Sequence, residues 1–370
     1  MKLSSCKMSA SNIVDFLQNK VKENTTGEWA EIEQHYNRKL WHQLTLALMK
    51  YMKKPEQQVT ELKDIYDKFI CTFETKINPL ALVEIVEIIT SRLENKKEAI
   101  QMLSRIEPKV RQYVDAESLC KVLQGQLYLQ LNDLAATKVI VRSFELEEGV
   151  TPIQGRIYKL AADYYRITDN VTKYYRAAIQ YVGCDESTLT NPGLARSLAI
   201  AAVVSPDIFD LSELVIHPIM KVLKGHSEEW ALQLLAVVAG GDLSGYDALK
   251  HVFKPKSTAV DEQIKTKIRI LCLLEMATKC PITKRVLSFK DIAEQTQIPE
   301  DQVEFLIMKA MAKKMMRGKI DEVDKVVIVS WVKPRALSRE KLLELTERVE
   351  QWRLAVGKIA AADPGYNTDS

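Results

Sequence analysis

Histidine and cysteine are the residues of this chain with the widest chemical range, and neither type falls into a pattern of known chemistry. The five histidines, from His35 to His251, include neither an HExxH motif nor an H-x-H pair. The two cysteines nearest in sequence, Cys272 and Cys280, are too far apart for the CxxC pairs that hold zinc or exchange disulfides. We therefore predict no metal site and reduced cysteines that serve as small apolar side chains.

Motifs for phosphate binding and for nucleophilic catalysis are missing as well. The sequence contains no GxxxxGK, GxGxxG or GxSxG string. Carboxylates are numerous, but they lie on the polar faces of helical patterns and no pair stands out. We predict no catalytic residue and no cofactor. An enzyme whose site is assembled only by the fold is the third interpretation, after protein binding and nucleic-acid binding.

A tyrosine-rich stretch at residues 163–183 has side chains that could stack on RNA bases. Its tyrosines lie near Arg166 and Arg176, and aromatic rings beside guanidinium groups can hold single-stranded nucleic acid. The other interpretation is two facing helices whose rings share a core, with the hydroxyls at its edge. We favour this second interpretation.

The composition is that of a soluble globular protein. Of the 370 residues, 46% are hydrophobic and 27% charged. The formal net charge is only +3, so nothing attracts the whole chain to nucleic acid or to a membrane. The longest aliphatic run, residues 198–204, is too short to span a bilayer, and the N-terminus lacks the apolar segment of a secretory signal. We expect a soluble intracellular protein.

Amphipathic helices are predicted from Ser11 to about Lys279, because apolar residues recur at i, i+3, i+4 and i+7. Asn78 and Pro79 are suited to the N-cap and the first position of a helix. The same polar-residue-proline start predicts helices at Thr151-Pro152, Asn191-Pro192 and Ser205-Pro206. More than about ten helices with short connections cannot share one core, so we predict a mainly α fold, an α-solenoid of tetratricopeptide-like helix pairs.

A winged helix is predicted next, from the order helix, helix, hairpin in residues 287–331. Ser288 is placed to cap the first helix, with Asp291 as its partner in a capping box. Pro299 is expected to start the second helix. The strings "KIDEV" and "VVIVSWV" then predict two strands joined by a two-residue loop, Asp324-Lys325.

The charges of this module favour protein binding over DNA binding. A DNA-reading helix offers basic or amide side chains to the bases from its N-terminal half. Here that half carries Glu300, Asp301 and Glu304, which phosphates repel. The hairpin segment "KIDEVDK" is net acidic too, whereas a DNA-contacting wing is usually basic.

The second strand of the hairpin is apolar on both faces. Strict alternation places Val327, Val329 and Trp331 on one face, and Val326, Ile328 and Val332 on the other. Such a strand needs cover on both sides, and the module itself can supply only one. If the strand lies at the sheet edge, it is also a template for pairing with another chain. We therefore predict Val327, Val329 and Trp331 as protein-interaction residues.

A last helix is predicted at residues 338–361, and a polar tail at residues 362–370. Apolar residues of the helix follow the 3-4-3-4-3 spacing of a heptad seam, which suits a bundle of helices. These predicted interaction residues are Leu342, Leu345, Val349, Trp352, Val356 and Ile359.

Helical repeats, a winged helix and a heptad helix in this order resemble the PCI family, whose members are scaffold subunits of the proteasome lid, the signalosome and a translation initiation factor. Three strings carry a closer resemblance to the non-ATPase lid subunits of the 26S proteasome: "KLWHQLTLAL" (39–48), "YYRAAIQYVGC" (174–184) and "GKIDEVDKVVIVSWVKPR" (318–335). The domain prediction is therefore helical repeats at 1–170 and a PCI domain at 171–337, whose winged helix spans about 283–333.

The resemblance implies a non-catalytic scaffold of the regulatory particle, in the cytoplasm and nucleus. It implies that winged helices of neighbouring subunits pair edge to edge and that C-terminal helices gather in a shared bundle. The implied partners are other lid subunits: a neighbouring PCI subunit, the metalloprotease pair and a ubiquitin-receptor subunit, with no nucleic acid and no membrane. The alternative is a nucleic-acid-binding winged-helix protein of an mRNA export or translation initiation complex.

Overall fold

The computed structural model describes residues 10–23, 27–54, 58–145, 152–280, 285–334 and 339–362, which form two compact units, Met1–Thr168 and Asp169–Ser370. None of the helices in these ranges is long and apolar enough to cross a membrane. The helices of the first unit are α1 Ala10–Glu23, α2 Glu28–Asn37, α3 Trp41–Met52, α4 Val59–Lys68, α5 Pro79–Arg92, α6 Lys96–Val110, α7 Val114–Gln130, α8 Leu134–Glu145 and α9 Gln154–Ile167.

The second unit contains the remaining helices and a small sheet. Its elements are α10 Val171–Cys184, α11 Pro192–Val204, α12 Leu211–Ile216, α13 Pro218–Lys221, α14 Glu229–Gly240, α15 Leu243–Phe253, α16 Thr258–Lys279, β1 Val286–Ser288, α17 Phe289–Thr296, α18 Glu300–Ala312, β2 Met316–Asp321, β3 Val326–Val332 and α19 Arg339–Ala362. Short 3₁₀ turns lie at Ile70–Thr72 and Glu74–Lys76 in the first unit and at Glu186–Thr190 in the second.

Consecutive helices of the first unit pack against each other, as in helical repeats. Contacts join α2 to α3, α5 to α6, α6 to α7 and α7 to α8. The predicted start of α5 is confirmed, since the Asn78 side chain accepts the Leu80 N–H and Pro79 is the first helical residue. Its apolar stripe is buried in a core that contains Trp29 and Phe69. The sequence pattern and the packing therefore agree on the mainly α fold.

The proline-marked helix starts had different outcomes. Asn191 caps α11 by accepting the N–H groups of Gly193 and Leu194. Thr151 lies outside the described residues, and α9 begins at Gln154. The start predicted at Ser205-Pro206 is wrong, because α11 ends at Val204 and the chain stays non-helical until Leu211.

Lysines from later elements hold this non-helical segment, residues 205–210. Lys267 Nζ donates to the Ser205 carbonyl at 2.8 Å. Lys313 donates to the Pro206 carbonyl at 3.0 Å, and Lys333 pairs with Asp210 at 2.7 Å. Carbonyls that would begin a new helix are thus bonded to distant side chains, and Pro206 follows the end of a helix instead of opening one.

A winged helix follows α16. The helix α16 packs against α17, α18 and β3 of this module. The Ser288 side chain accepts the Asp291 N–H at 3.1 Å, which confirms the predicted N-cap. The sheet has the order β1-β3-β2, with both pairs antiparallel. The three-residue strand β1 was not predicted, because a run so short has no periodicity to recognise.

The hairpin loop has four residues, 322–325, instead of the predicted two. Asp321 pairs with Val326 at the end of the ladder, so β2 ends two residues before the predicted Val323, while β3 begins at Val326 as predicted. The Asp321 carboxylate accepts the N–H groups of Val323 and Asp324, which builds a side-chain-supported turn. The longer loop follows from this local hydrogen bonding.

Candidate protein-interaction surfaces

The strand β3 lies in the middle of the sheet, between β1 and β2. The edge position on which strand pairing by β3 depended is therefore not met, and the edge strands are β1 and β2. Val327 and Val329 are buried in the core of the winged helix with Phe289 and Ile307. These two valines are accordingly closed to a partner unless the module opens.

A β-bulge separates Trp331 from the two valines. Arg317 pairs with Trp331 and Gly318 pairs with Val329, so Ser330 has no partner in the ladder. An extra residue shifts the alternation by one position, so Val332 turns to the buried face and Trp331 to the exposed face. Gly318 of β2 was the signal in the sequence, because a glycine inside a strand often marks a bulge.

The exposed face of β3 is formed by Ile328 and Trp331. Ile328 is about half exposed, and Trp331 is slightly less so. The Arg317 guanidinium lies 5.3 Å from the centre of the Trp331 ring, a cation–π arrangement. Of the three interaction residues predicted on this strand, the structure leaves Trp331 accessible, and contact of any of them with a partner stays a prediction.

A second exposed apolar surface lies on α18. Phe305 is 72% exposed and Met308 50%, whereas Val303 and Ile307 of the same helix are buried. Neither residue was predicted as an interaction residue, because both lie outside the apolar face that the helical period assigns to the core. Apolar residues on two faces of one helix were the available signal. The acidic start of the helix, Glu300 and Asp301, is present as predicted.

The heptad residues of α19 are accessible along one side of the helix. Val349 is 54% exposed and Trp352 68%, and Leu342, Leu345 and Val356 are each about half exposed. These five residues are called the α19 seam below. The side chain of Ile359 and residues 363–370 of the predicted tail at 362–370 lie outside what the structure describes, while Ala362 is the last residue of α19. A helix that leaves a regular apolar seam accessible is suited to packing with other helices.

The thiols of Cys71 and Cys120 lie in unreactive surroundings. Burial, followed by the nearby Glu74 carboxylate, raises the pKa of Cys71 to about 12. Burial and Glu107 do the same for Cys120, so both thiols stay protonated and weakly nucleophilic. Among the described side chains, no three His, Cys, Asp or Glu residues are grouped as a metal site would require.

The tyrosine rings of residues 163–183 are buried or partly buried. Tyr164 and Tyr165 are buried with their rings edge to face, 5.2 Å apart. Tyr174, Tyr175 and Tyr181 are partly buried, and burial raises the pKa of Tyr175 to about 12. Rings that are buried or partly buried in this way argue against a stacking surface for bases.

Known proteins resemble the chain along nearly its whole length. The family model for PSD13 N-terminal repeats matches residues 28–235, and the model for the PCI domain matches residues 248–331. The 26S proteasome non-ATPase regulatory subunit 13 of Dictyostelium discoideum is 29% identical, over 87% of this chain and 88% of its own length. The probable 26S proteasome regulatory subunit rpn9 of Schizosaccharomyces pombe is 30% identical, over 94% and 95%.

A more distant relative covers only part of the chain. The eukaryotic translation initiation factor 3 subunit M of Chaetomium globosum is 26% identical, over 50% of this chain and 45% of its own length. The full-length matches and the repeat model, which spans more than half of the residues, indicate one assignment. The chain belongs to the family of 26S proteasome non-ATPase regulatory subunit 13, with PSD13 N-terminal repeats followed by a PCI domain.

Proposed function

We propose that this chain is a non-catalytic scaffold subunit of the 26S proteasome regulatory-particle lid, which supports lid assembly and thereby ubiquitin-dependent protein degradation. The observation that carries the proposal is the succession of PSD13 repeats and PCI domain over most of the chain, shared with relatives named as proteasome regulatory subunits. The accessible apolar surfaces of the winged helix and α19 support a role in protein contacts.

The scaffold uses two kinds of contact in this proposal. The winged helix pairs with a neighbouring PCI subunit through an edge strand of its sheet or the exposed Ile328 and Trp331, while the α19 seam enters a bundle of helices from several lid subunits. Its other neighbours are the metalloprotease pair and a ubiquitin-receptor subunit, in the cytoplasm and nucleus. The domain boundaries are those predicted from the sequence: 1–170, 171–337, 338–361 and 362–370.

The double variant Val349→Asp with Trp352→Ala tests the bundle contact. Both side chains are more than half exposed, so we expect a soluble chain whose melting temperature matches that of the wild type. In a bundle the same changes bury an unpaired carboxylate and remove a large anchor, so we expect the variant to be lost from the lid. Lid incorporation is measured by native co-purification from cells that express a tagged lid subunit.

A matched control carries Gln351→Asp with Lys358→Ala on the opposite side of α19, where both residues are exposed. This control is expected to enter the lid normally. Normal incorporation of the seam variant would refute the bundle contact. A melting temperature lowered by several degrees would instead show that α19 packs against its own chain.

The partial match to a translation initiation factor subunit supports the second candidate, a PCI protein of a nucleic-acid-binding complex. Glu300 and Asp301 at the start of α18 disfavour it, because carboxylates repel phosphates. Heparin chromatography separates the two candidates. A lid scaffold elutes at low salt, whereas retention at moderate salt would support the nucleic-acid function.

A further inference from the structure

The charges beside the α19 seam are all of one sign among the side chains that the structure describes. In heptad notation Leu342, Val349 and Val356 occupy position a, and Leu345 and Trp352 occupy position d. The described flanking positions e and g are Thr346, Arg348, Arg353 and Ala355. The two charged residues among them are therefore both arginines.

The acidic residues of the same stretch lie further from the seam. Glu347 is at position f and Glu350 at position b, so neither flanks the apolar residues. Glu350 accepts two hydrogen bonds from Arg353, at 2.6 and 2.9 Å. Both side chains are mostly exposed, and an exposed pair of this kind is easily rearranged when a second carboxylate approaches. Arg353 is thus available to a carboxylate on a partner helix.

A second copy of α19 is a poor partner for this surface. In a parallel pair, position g of one helix faces position e of the next heptad in the other, which places Arg348 opposite Arg353 twice. In an antiparallel pair, g faces g and e faces e, so each arginine faces its own counterpart. Either arrangement brings like charges together, which is the usual device against self-association in heptad helices.

We propose that the α19 seam recognises a helix of a different chain that carries apolar heptad residues flanked by carboxylates at positions e and g. This inference rests on the proposed function and adds the chemistry of the partner. Apolar contact with Trp352 and its neighbours supplies most of the affinity. Pairing of Arg348 and Arg353 with the carboxylates selects the partner and excludes a second copy.

Two synthetic helical peptides of three heptads provide the test. Both carry leucine at positions a and d, and they differ only at e and g, where one has glutamate and the other lysine. Binding of each labelled peptide to the full-length chain is measured by fluorescence anisotropy. We expect about tenfold tighter binding of the glutamate peptide at low salt, and a difference that shrinks at high salt where charges are screened.

Charge reversal gives the sharper result. Arg348→Glu with Arg353→Glu is expected to exchange the preference, so that the lysine peptide binds more tightly. Lys358→Glu, at an exposed position away from the seam, is the control and should leave the preference unchanged. Equal binding of the two peptides, binding of neither, or an equal effect of Lys358→Glu would overturn the inference.

Failure of this inference is distinguishable from failure of the proposed function. If the seam variant Val349→Asp with Trp352→Ala is lost from the lid while the peptides bind equally, the bundle stands and the partner chemistry is wrong. If that seam variant enters the lid normally, the bundle contact itself is refuted, whatever the peptides show.

Discussion

At the scale of single residues, the buried ammonium group of Lys267 is an uncommon feature of the second unit. Its side chain is 3% exposed and donates to the carbonyl oxygens of Ala202 at 2.6 Å and Ser205 at 2.8 Å. These carbonyls lie at the C-terminal end of α11, where a cation is favoured. Burial and then the Lys313 cation lower the pKa of Lys267 to about 7, against the opposite effect of Asp207.

Stability should depend on pH through Lys267. Its folded-state pKa of about 7 is below the ordinary 10.5, so the unfolded chain binds more protons between these values. The contribution of this lysine to the free energy of unfolding therefore rises with pH across that window and is lost as the pH falls towards 7. The Lys267→Met variant retains the other titrating groups, so their contributions largely cancel when its stability is compared with that of the wild type.

We expect the melting temperature of the wild type, relative to that of Lys267→Met, to increase between about pH 7 and about pH 9. Differential scanning calorimetry of both proteins in matched buffers measures the difference. A difference that stays constant over this range would show that Lys267 does not titrate there.

Gly241 is a position where only glycine fits. It ends α14 with φ of 75°, in the left-handed region, and an added Cβ would lie 2.6 Å from the backbone nitrogen of Cys272. Gly241→Ala combines backbone strain with a clash against α16, so we expect a loss of about 2 kcal/mol or more in the free energy of unfolding. Chemical denaturation measures the loss.

The neighbouring glycine is the control. A Cβ at Gly240 meets nothing within 4 Å, and the residue is helical, so Gly240→Ala should be neutral or stabilising by up to about 1 kcal/mol. Equal effects of the two substitutions would mean that the close approach of this turn to α16 is absent in solution.

At the scale of elements, the winged helix depends on the central position of β3. The strand contacts β1, β2 and α16, and its two faces differ in burial. The buried face of β3 belongs to the module's own core, and its exposed face is available to other proteins.

Lysine substitutions on the two faces should therefore differ in effect. Val329→Lys places a charge in the core, and we expect it to lower the free energy of unfolding by roughly 3 kcal/mol or more. Ile328→Lys changes a half-exposed side chain and should cost about 0.5 kcal/mol or less. Denaturant unfolding of the full-length variants compares them. Similar stabilities would contradict the assignment of the two faces.

At the scale of the whole molecule, the chain divides between Thr168 and Asp169 into two units. The second unit has its own apolar core, which includes Leu198, Ile268 and Leu271. The PSD13 family model ends at residue 235, so the unit of sequence similarity and the compact unit have different boundaries. The end of a region of sequence similarity and the border of a compact unit need not coincide in a protein built of helical repeats, because each repeat contacts only its neighbours.

A fragment of residues 169–370 should fold without the first unit. We expect a helical circular dichroism spectrum and a cooperative thermal transition, because helices α10 to α16 supply their own packing partners. The control fragment, residues 192–370, lacks α10, whose Ala178 and Val182 are buried and which packs on α11. It should melt at a lower temperature. Equal melting of the two fragments, or no transition in the longer one, would contradict the division.

The sequence by itself determined the helical class, the faces of the helices and several of their first residues. Asn78, Asn191 and Ser288 cap the helices predicted for them, because a cap is a bond between a side chain and N–H groups two or three residues away. Local patterns also determined the order of two helices and a hairpin in the winged helix. Interactions within one turn of chain are visible without a fold.

Only the tertiary structure decided which surfaces are accessible. Ser205-Pro206 does not open a helix because Lys267, distant in sequence, bonds the Ser205 carbonyl. Trp331 is exposed while Val329 is buried, because a bulge changes the alternation and the helix packing on β3, which includes α16, covers only one of its faces. Sheet order, bulges and burial depend on partners that are remote in sequence, and no local periodicity encodes which partner will be met.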